Sequence, residues 1–300
     1  MNGKTVFITG AARGIGADAA RRLAASGANV ALVGLEPEEL ERVAADCRGR
    51  GLAIEADVTD RAALDDAVAR TVERFGGIDA VFANAGIGVG GLMDRVDPDA
   101  FEKVIEVNLL GTWRTVRACL PQVLERRGYV LINASMSPLV SAFPLMGSYV
   151  AAKAAVEALG NSLRLELKHR GVDVGVAYFS WIGTEMVKGG DAEHPAFKRL
   201  RDAMNGPLGK TYDVGVAGKA VERGVARRAR IVVAPRWVRA MLPLRGLLTR
   251  PTEMQFAPLM PEIEQLMEAE ISAKGDGVYT PVGAGGRAAA NADRSGNVPV

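Results

Sequence analysis

The run Thr5-Val-Phe-Ile-Thr9 passes directly into the glycine turn Gly10-Ala-Ala-Arg13-Gly14-Ile15-Gly16 and then into an alanine-rich amphipathic stretch. A buried strand, a turn of small residues and a helix, in that order, leave a chain few folds to adopt. Gly10 permits the sharp turn, Gly14 lets the backbone approach a pyrophosphate, and Gly16 lets the helix lie close on the strand. The helix N-terminus then faces the negative charge, with Arg13 and Ile15 between the glycines as part of the same cradle. A glycine triplet alone is more often just a turn. The strand before it and the helix after it make this one a candidate dinucleotide site.

The rest of the chain repeats that rhythm. Strands are predicted near 5–9, 29–34, 53–56, 80–83, 129–133, 173–178 and 230–233, with helices filling the gaps. Alternation of β and α implies an α/β fold, a doubly wound parallel sheet of Rossmann-like type with helices on both faces. Three hundred residues that are 48% hydrophobic can bury one large core. Residues 1–282 are expected to form a single domain, with a mobile lid over 187–210 and a C-terminal extension over 235–282 that holds a helix from Pro261 to Lys274. The Gly-, Ala-, Asn- and Arg-rich residues 283–300 are expected to be a disordered tail.

Composition excludes several classes of function. A net charge of +2 gives no concentrated basic surface for nucleic acid. Cys47 and Cys119 form no metal-like cluster and read as small buried hydrophobes in a reducing compartment. His169 and His194 are expected to end a helix and decorate a loop, and no metal site is expected. There is no signal-like N-terminus and no run of ~20 apolar residues, so a cytoplasmic protein without a membrane span is expected.

Tyr149 and Lys153, four residues apart before an alanine-rich helix, place a phenol and an ammonium on one face. A phenol of pKa ~10 carries protons poorly near neutrality, and a fixed cation lowers that value, each unit being worth ~1.4 kcal/mol. The pair alone is weak, since Tyr-x-x-x-Lys is common on surface helices. Joined to the glycine turn, it resembles the short-chain dehydrogenase/reductase family, over roughly residues 4 to 234. Further motifs follow in the family's order: Asp57-Val58, like its adenine-contacting pair; Asn84-Ala85-Gly86, like its Asn-Ala-Gly segment; and Asn108 in Val107-Asn-Leu-Leu-Gly111, like the asparagine that holds a water against the lysine.

Counted back from Tyr149, the family's serine falls on Met136; counted along the strand from Gly128 it falls on Ser135, which is preferred because a loop absorbs an insertion more easily than a strand end. Ser137 is the reserve. The resemblance implies that Ser135 would bond the substrate oxygen and Tyr149 exchange its proton, with Lys153 lowering the tyrosine pKa and holding the nicotinamide ribose, and Asn108 supporting a water chain. Ile182 and Thr184 would cradle the nicotinamide amide, although Phe179-Ser-Trp-Ile-Gly-Thr184 lacks the family's Pro-Gly.

The cofactor is NAD or NADP. Gly34 occupies the usual acidic position and Leu35 the usual arginine of NADP enzymes; Arg13 could pair a phosphate, while Glu36 could reach the ribose hydroxyls or simply begin the next helix. The balance is toward NAD. Phe143, Leu145, Met146, Phe179 and Trp181 suggest an apolar pocket for a lipophilic alcohol or ketone, or else fill core. The arginine-rich segment from Pro235 to Arg250 is expected to pack over the pocket or on a partner subunit, with Pro243 and Gly246 breaking the helix; contact with a membrane surface is the lesser alternative. The expected function is NAD(P)-dependent interconversion of a hydroxyl and a carbonyl on a hydrophobic small molecule, by a homodimer or homotetramer as the family implies. A carrier-bound 3-oxoacyl reductase and a dinucleotide-binding scaffold with weak catalysis are the two alternatives.

Overall fold

Alternation within the strands decides which helices each face receives. In β1 (Thr5–Thr9) every residue is buried, with Val6 and Ile8 facing one side of the sheet and Phe7 the other. The computed structural model describes residues 1–140 and 143–296, and the side chains only as far as 292. In chain order the elements after β1 are α1 (Gly14–Ala25), β2 (Asn29–Gly34), α2 (Pro37–Asp46), β3 (Gly51–Glu55), α3 (Arg61–Phe75), β4 (Ala80–Ala83) and α4 (Pro98–Ile105). A π-helical turn over Glu106–Leu110 leads into α5 (Gly111–Glu125), followed by β5 (Tyr129–Asn133), α6 (Ser137–Val140), α7 (Gly147–Lys168) and β6 (Asp173–Phe179). Then come α8 (Glu185–Glu193), α9 (Pro195–Asp202), α10 (Val214–Ala226), β7 (Ile231–Ala234), α11 (Val238–Met241), α12 (Arg245–Phe256), α13 (Met260–Lys274) and α14 (Gly283–Gly296).

The seven strands form one parallel sheet in the order β3-β2-β1-β4-β5-β6-β7. Leu23, Leu40 and Val221, from α1, α2 and α10, pack on the face that carries Val6 and Ile8. Ala67, Val116 and Val156, from α3, α5 and α7, cover the face that carries Phe7 and Val33. Strand order reverses between β1 and β4, so the loops beyond their C-terminal ends part and leave a crevice there.

A third apolar cluster roofs that crevice. Phe143 and Phe197 meet Phe256 of α12, Ile263 and Met267 of α13, and Tyr279. The extension therefore packs over the pocket. Pro243 breaks the helix as expected, in a 3-10 turn between α11 and α12, but Gly246 lies inside α12, as does Pro251. The expected disordered tail is also corrected, because residues 283–296 form α14, while 297–300 lie outside the described residues. That helix has partners: it packs on α8, buries Ala289, and is tied by Val282 N–H to the Gly88 carbonyl (3.2 Å) and Ala284 N–H to Glu185 Oε2 (3.3 Å). The presumed lid region holds α8 and α9. Among the described residues no helix is long and apolar enough to cross a membrane.

Candidate active site

The glycine turn has the geometry its sequence demands. Gly10 and Gly14 adopt φ of 63° and 53°, the left-handed region that favours glycine. A Cβ on Gly16 would overlap the Gly10 carbonyl oxygen, so close packing of α1 on the turn requires its absence. The first turn of α1 carries no acidic residue and no side chain caps it, leaving its backbone N–H groups open to an anion. Thr184 stands against Gly14 across the crevice, 3.0 Å from where a Cβ would be. Asn84 locks the turn: its Nδ2 donates to the carbonyls of Thr9 and Gly10 at 3.1 and 3.2 Å, and its Oδ1 accepts from Asn133 Nδ2 at 3.0 Å. Ile15, Asp57, Val58, Ala85, Gly86, Ile182 and Thr184 line one continuous cleft of about 300 Å³ with the three glycines' turn. In its wall Asn133 Oδ1 and Ser180 Oγ lack hydrogen-bond partners. Open N–H groups, a turn that admits no side chain and unsatisfied polar atoms together fit a dinucleotide.

At the end of β2, Arg13 is held by three carboxylates. Its Nε lies 2.6 Å from Glu36 Oε1, its Nη1 3.0 Å from Glu185 and its Nη2 3.4 Å from Glu39. Glu36 is also the residue preceding α2, whose first position is Pro37, so it begins that helix as one of its two expectations had it.

Deeper in the cleft, Ser135, Tyr149 and Lys153 converge from β5 and α7. Ser135 Oγ accepts from both the N–H and the hydroxyl of Ser137 at 3.1 Å, and Ser135 is the serine whose proximity pulls on the Tyr149 pKa. Ser137 thus stands behind Ser135, bonded to its hydroxyl. Lys153, 3% exposed, donates from Nζ to the Asn133 carbonyl at 2.8 Å and lies 5.7 Å from the centre of the Tyr149 ring. Asn108 sits in the π turn, fully buried, its side chain bonded both ways to the Ile87 backbone at 2.8 and 2.9 Å. Gly86 separates it from the lysine: a Cβ there would stand 3.0 Å from Asn108 Oδ1 and 3.5 Å from Lys153 Nζ.

The expected lowering of the tyrosine pKa is not what this geometry gives. Burial raises the Tyr149 pKa, and the Ser135 hydrogen bond pulls it down by less. Burial also lowers the Lys153 pKa to about 8, so the lysine bears the cost of a dry site in its own titration. Both thiols behave as buried hydrophobes, that of Cys47 pushed up to about 11.

Beyond Tyr149 the cleft is apolar. Phe143 packs on Trp181, Phe197 and Phe256 with ring centres 5.5, 6.4 and 5.4 Å apart, and Met146 and Phe179 also face the cavity. Leu145 does not face it and fills the core beneath. Two polar groups here escaped the sequence. His194, expected to decorate a loop, is buried at the junction of α8 and α9 and bonds through Nδ1 to Glu270 Oε2 of α13 at 3.0 Å. No local signal could pair residues so far apart. Asn133, which braces both Asn84 and Lys153, had a signal: a polar residue ending an otherwise apolar strand.

A doubly wound sheet with a glycine cradle at its switch point, opening into a Ser/Tyr/Lys cluster, defines a dinucleotide-dependent dehydrogenase or reductase. Residues 4–194 match the short chain dehydrogenase family, and the chain belongs to it. It is 36% identical over 218 residues to 2,5-dichloro-2,5-cyclohexadiene-1,4-diol dehydrogenase of Sphingobium indicum, covering 71% of this chain and 85% of that one. Among solved structures it is similar to carveol dehydrogenase from Mycobacterium avium in complex with NAD, at TM-score 0.70 and 27% identity over 78% of this chain and 96% of that one. A 3-ketoacyl-(acyl-carrier-protein) reductase from Brucella melitensis complexed with NADH matches at TM-score 0.70 and 26% identity, over 78% and 97% of the respective chains.

Proposed function

We propose that the protein interconverts a hydroxyl and a carbonyl on a lipophilic small molecule with NAD as its partner. The observation that carries this is the convergence of Ser135, Tyr149 and Lys153 at the point where the glycine-lined cleft meets the aromatic pocket. Gly10, Gly14, Ile15, Asp57, Val58 and Thr184 would hold a nicotinamide cofactor, with Gly16 letting α1 pack close behind the turn, and when bound it would accept or donate the hydride. Ser135 Oγ, relieved of orientational freedom by Ser137, donates to the substrate oxygen. Burial makes the Tyr149 phenol hold its proton more firmly than a free one, and Tyr149 delivers that proton to the substrate oxygen as charge develops there, or takes it back in the oxidative direction. Lys153 sets its positive charge beside the phenol at that moment, and Asn133 and Asn108 hold the lysine and its surroundings in place.

NAD is favoured over NADP because Arg13 is already engaged by Glu36, Glu39 and Glu185. A 2′-phosphate would meet three carboxylates, whereas ribose hydroxyls would find an acceptor in Glu36. The names of the Mycobacterium and Sphingobium proteins, both alcohol or diol dehydrogenases, agree with a free lipophilic alcohol. The roof made by α13 and α14 weighs against an acyl chain tethered to a carrier. In the same reading the chain is a cytoplasmic homo-oligomer, and Leu165, 82% exposed on α7, is an apolar position for a second copy to cover.

Fluorescence titration with NADH and NADPH, followed by turnover of a panel of lipophilic ketones, tests the reading. NADH is expected to bind at least tenfold more tightly than NADPH, with turnover lowered about a hundredfold or more by Tyr149→Phe. Binding without turnover across the panel supports a scaffold, and binding of neither nucleotide overturns the assignment.

A further inference from the structure

We propose that the C-terminal helix α14 lies across the nucleotide cleft as a strap, latched by Glu185, and that a dinucleotide leaves only when the strap opens; this rests on the nucleotide reading of the cleft and names the part of the chain that governs release. At the end of β2 the cleft has two walls. One is the glycine turn with Arg13, Gly34 and Glu36, and the other is the start of α14, with Gly283, Gly285 and Gly286. Arg13 takes Glu36 Oε1 at 2.6 Å, while a Cβ on Gly285 would stand 3.5 Å from Glu36 Oε2. A ribose hydroxyl bonded to that oxygen therefore lies beside α14. Nothing but Glu36 comes within 4 Å of a Cβ at 285, so packing does not demand the glycine, and its smallness keeps the space in front of the carboxylate open.

The fastening of α14 is light. Glu185, the first residue of α8, bridges the two walls: its Oε1 accepts from Arg13 Nη1 at 3.0 Å and its Oε2 from Ala284 N–H at 3.3 Å. The Glu185 side chain is half exposed, so water weakens both contacts. Further along, Ala289 is 4% exposed in the apolar cluster of the roof and also borders the cleft. The buried positions of α14 are thus Gly283, Gly286 and Ala289, which offer few apolar atoms to hold it down. The neighbouring α12 and α13 are seated by Phe256, Ile263 and Met267. A segment with so little buried apolar surface opens at a small fraction of the cost of global unfolding. The weakest-held wall therefore stands where a ligand must pass, and the cradle still takes nucleotide with the strap open.

Stopped-flow fluorescence on the full-length protein gives the NADH dissociation rate, and hydrogen exchange of amides 283–292 reports on the strap. Bound NADH is expected to slow that exchange. Glu185→Ala and Ala284→Pro each break the latch, the proline removing only an N–H in the first helical turn, where proline is tolerated. Each should speed NADH release about two- to fivefold, and the double variant should release no faster than Glu185→Ala alone. Ala289→Glu, which sets a charge in the apolar seat, should speed release about tenfold or more; if it does not fold, the two latch variants carry the test. A helix that merely packs would exchange faster in the variants with NADH release unchanged. That result, or tighter NADH binding by the variants, overturns the strap while the nucleotide reading stands. Failure of the wild type to bind either NADH or NADPH overturns both.

Discussion

Tyr149 and Lys153 divide the consequences of a dry site between them. The phenol keeps its proton and the amine loses part of its hold on one, with the lysine pKa brought down to about 8. Between pH 8 and the ordinary lysine value near ~10.4 the unfolded chain binds a proton that the native lysine has given up. Lys153 therefore destabilises the fold below about pH 8, and that penalty is relieved as pH rises through the window. The stability of the wild type minus that of Lys153→Met should rise with pH there, at up to ~1.4 kcal/mol per unit, as read by denaturant titration. Taking the difference cancels the buried tyrosines and Cys47, which titrate in the opposite sense. Tyr149→Phe should cost 10²–10⁴-fold in kcat, the range for a lost general acid, while leaving the NADH affinity intact. Glu36→Gln frees one of the contacts on Arg13 and should narrow the preference for NADH over NADPH, measured as the ratio of the two Kd values.

At the scale of the element, the cradle is a set of close approaches. Gly16→Ala would drive a methyl group into the Gly10 carbonyl. It should destabilise the protein by roughly 1–3 kcal/mol and abolish dinucleotide binding, seen by melting and by NADH titration. This part of the molecule was legible in the sequence because its determinants are local: a strand, a turn and a helix within a dozen residues. The same holds for Tyr149 and Lys153 on one helix, and for Ser135, which the end of a strand carries into the same cleft. What remained hidden depends on chain folded back from far away. The Arg13 carboxylate cluster gathers Glu36 and Glu185, and His194 is joined to Glu270. The α14 helix read as disorder because its Gly- and Ala-rich composition carries no apolar stripe; contact with α8 supplies what propensity does not.

For the whole molecule, the parallel sheet and its two helical layers followed from the strand pattern, whereas the order β3-β2-β1-β4-β5-β6-β7 and the roof come from the structure. Phe256 is the roof's anchor, 3% exposed and packed edge-on to Phe143. Phe256→Ala should cost about 3–5 kcal/mol in stability, and should raise KM for the alcohol or ketone far more than the Kd for NADH. The roof comes from residues beyond β7 and the glycine cradle from those around β1, so as the chain emerges the nucleotide cleft can take shape before the chamber that chooses the substrate. A chain cut short before α12 would then keep the machinery for handling nucleotide and lack the walls that decide what is oxidised.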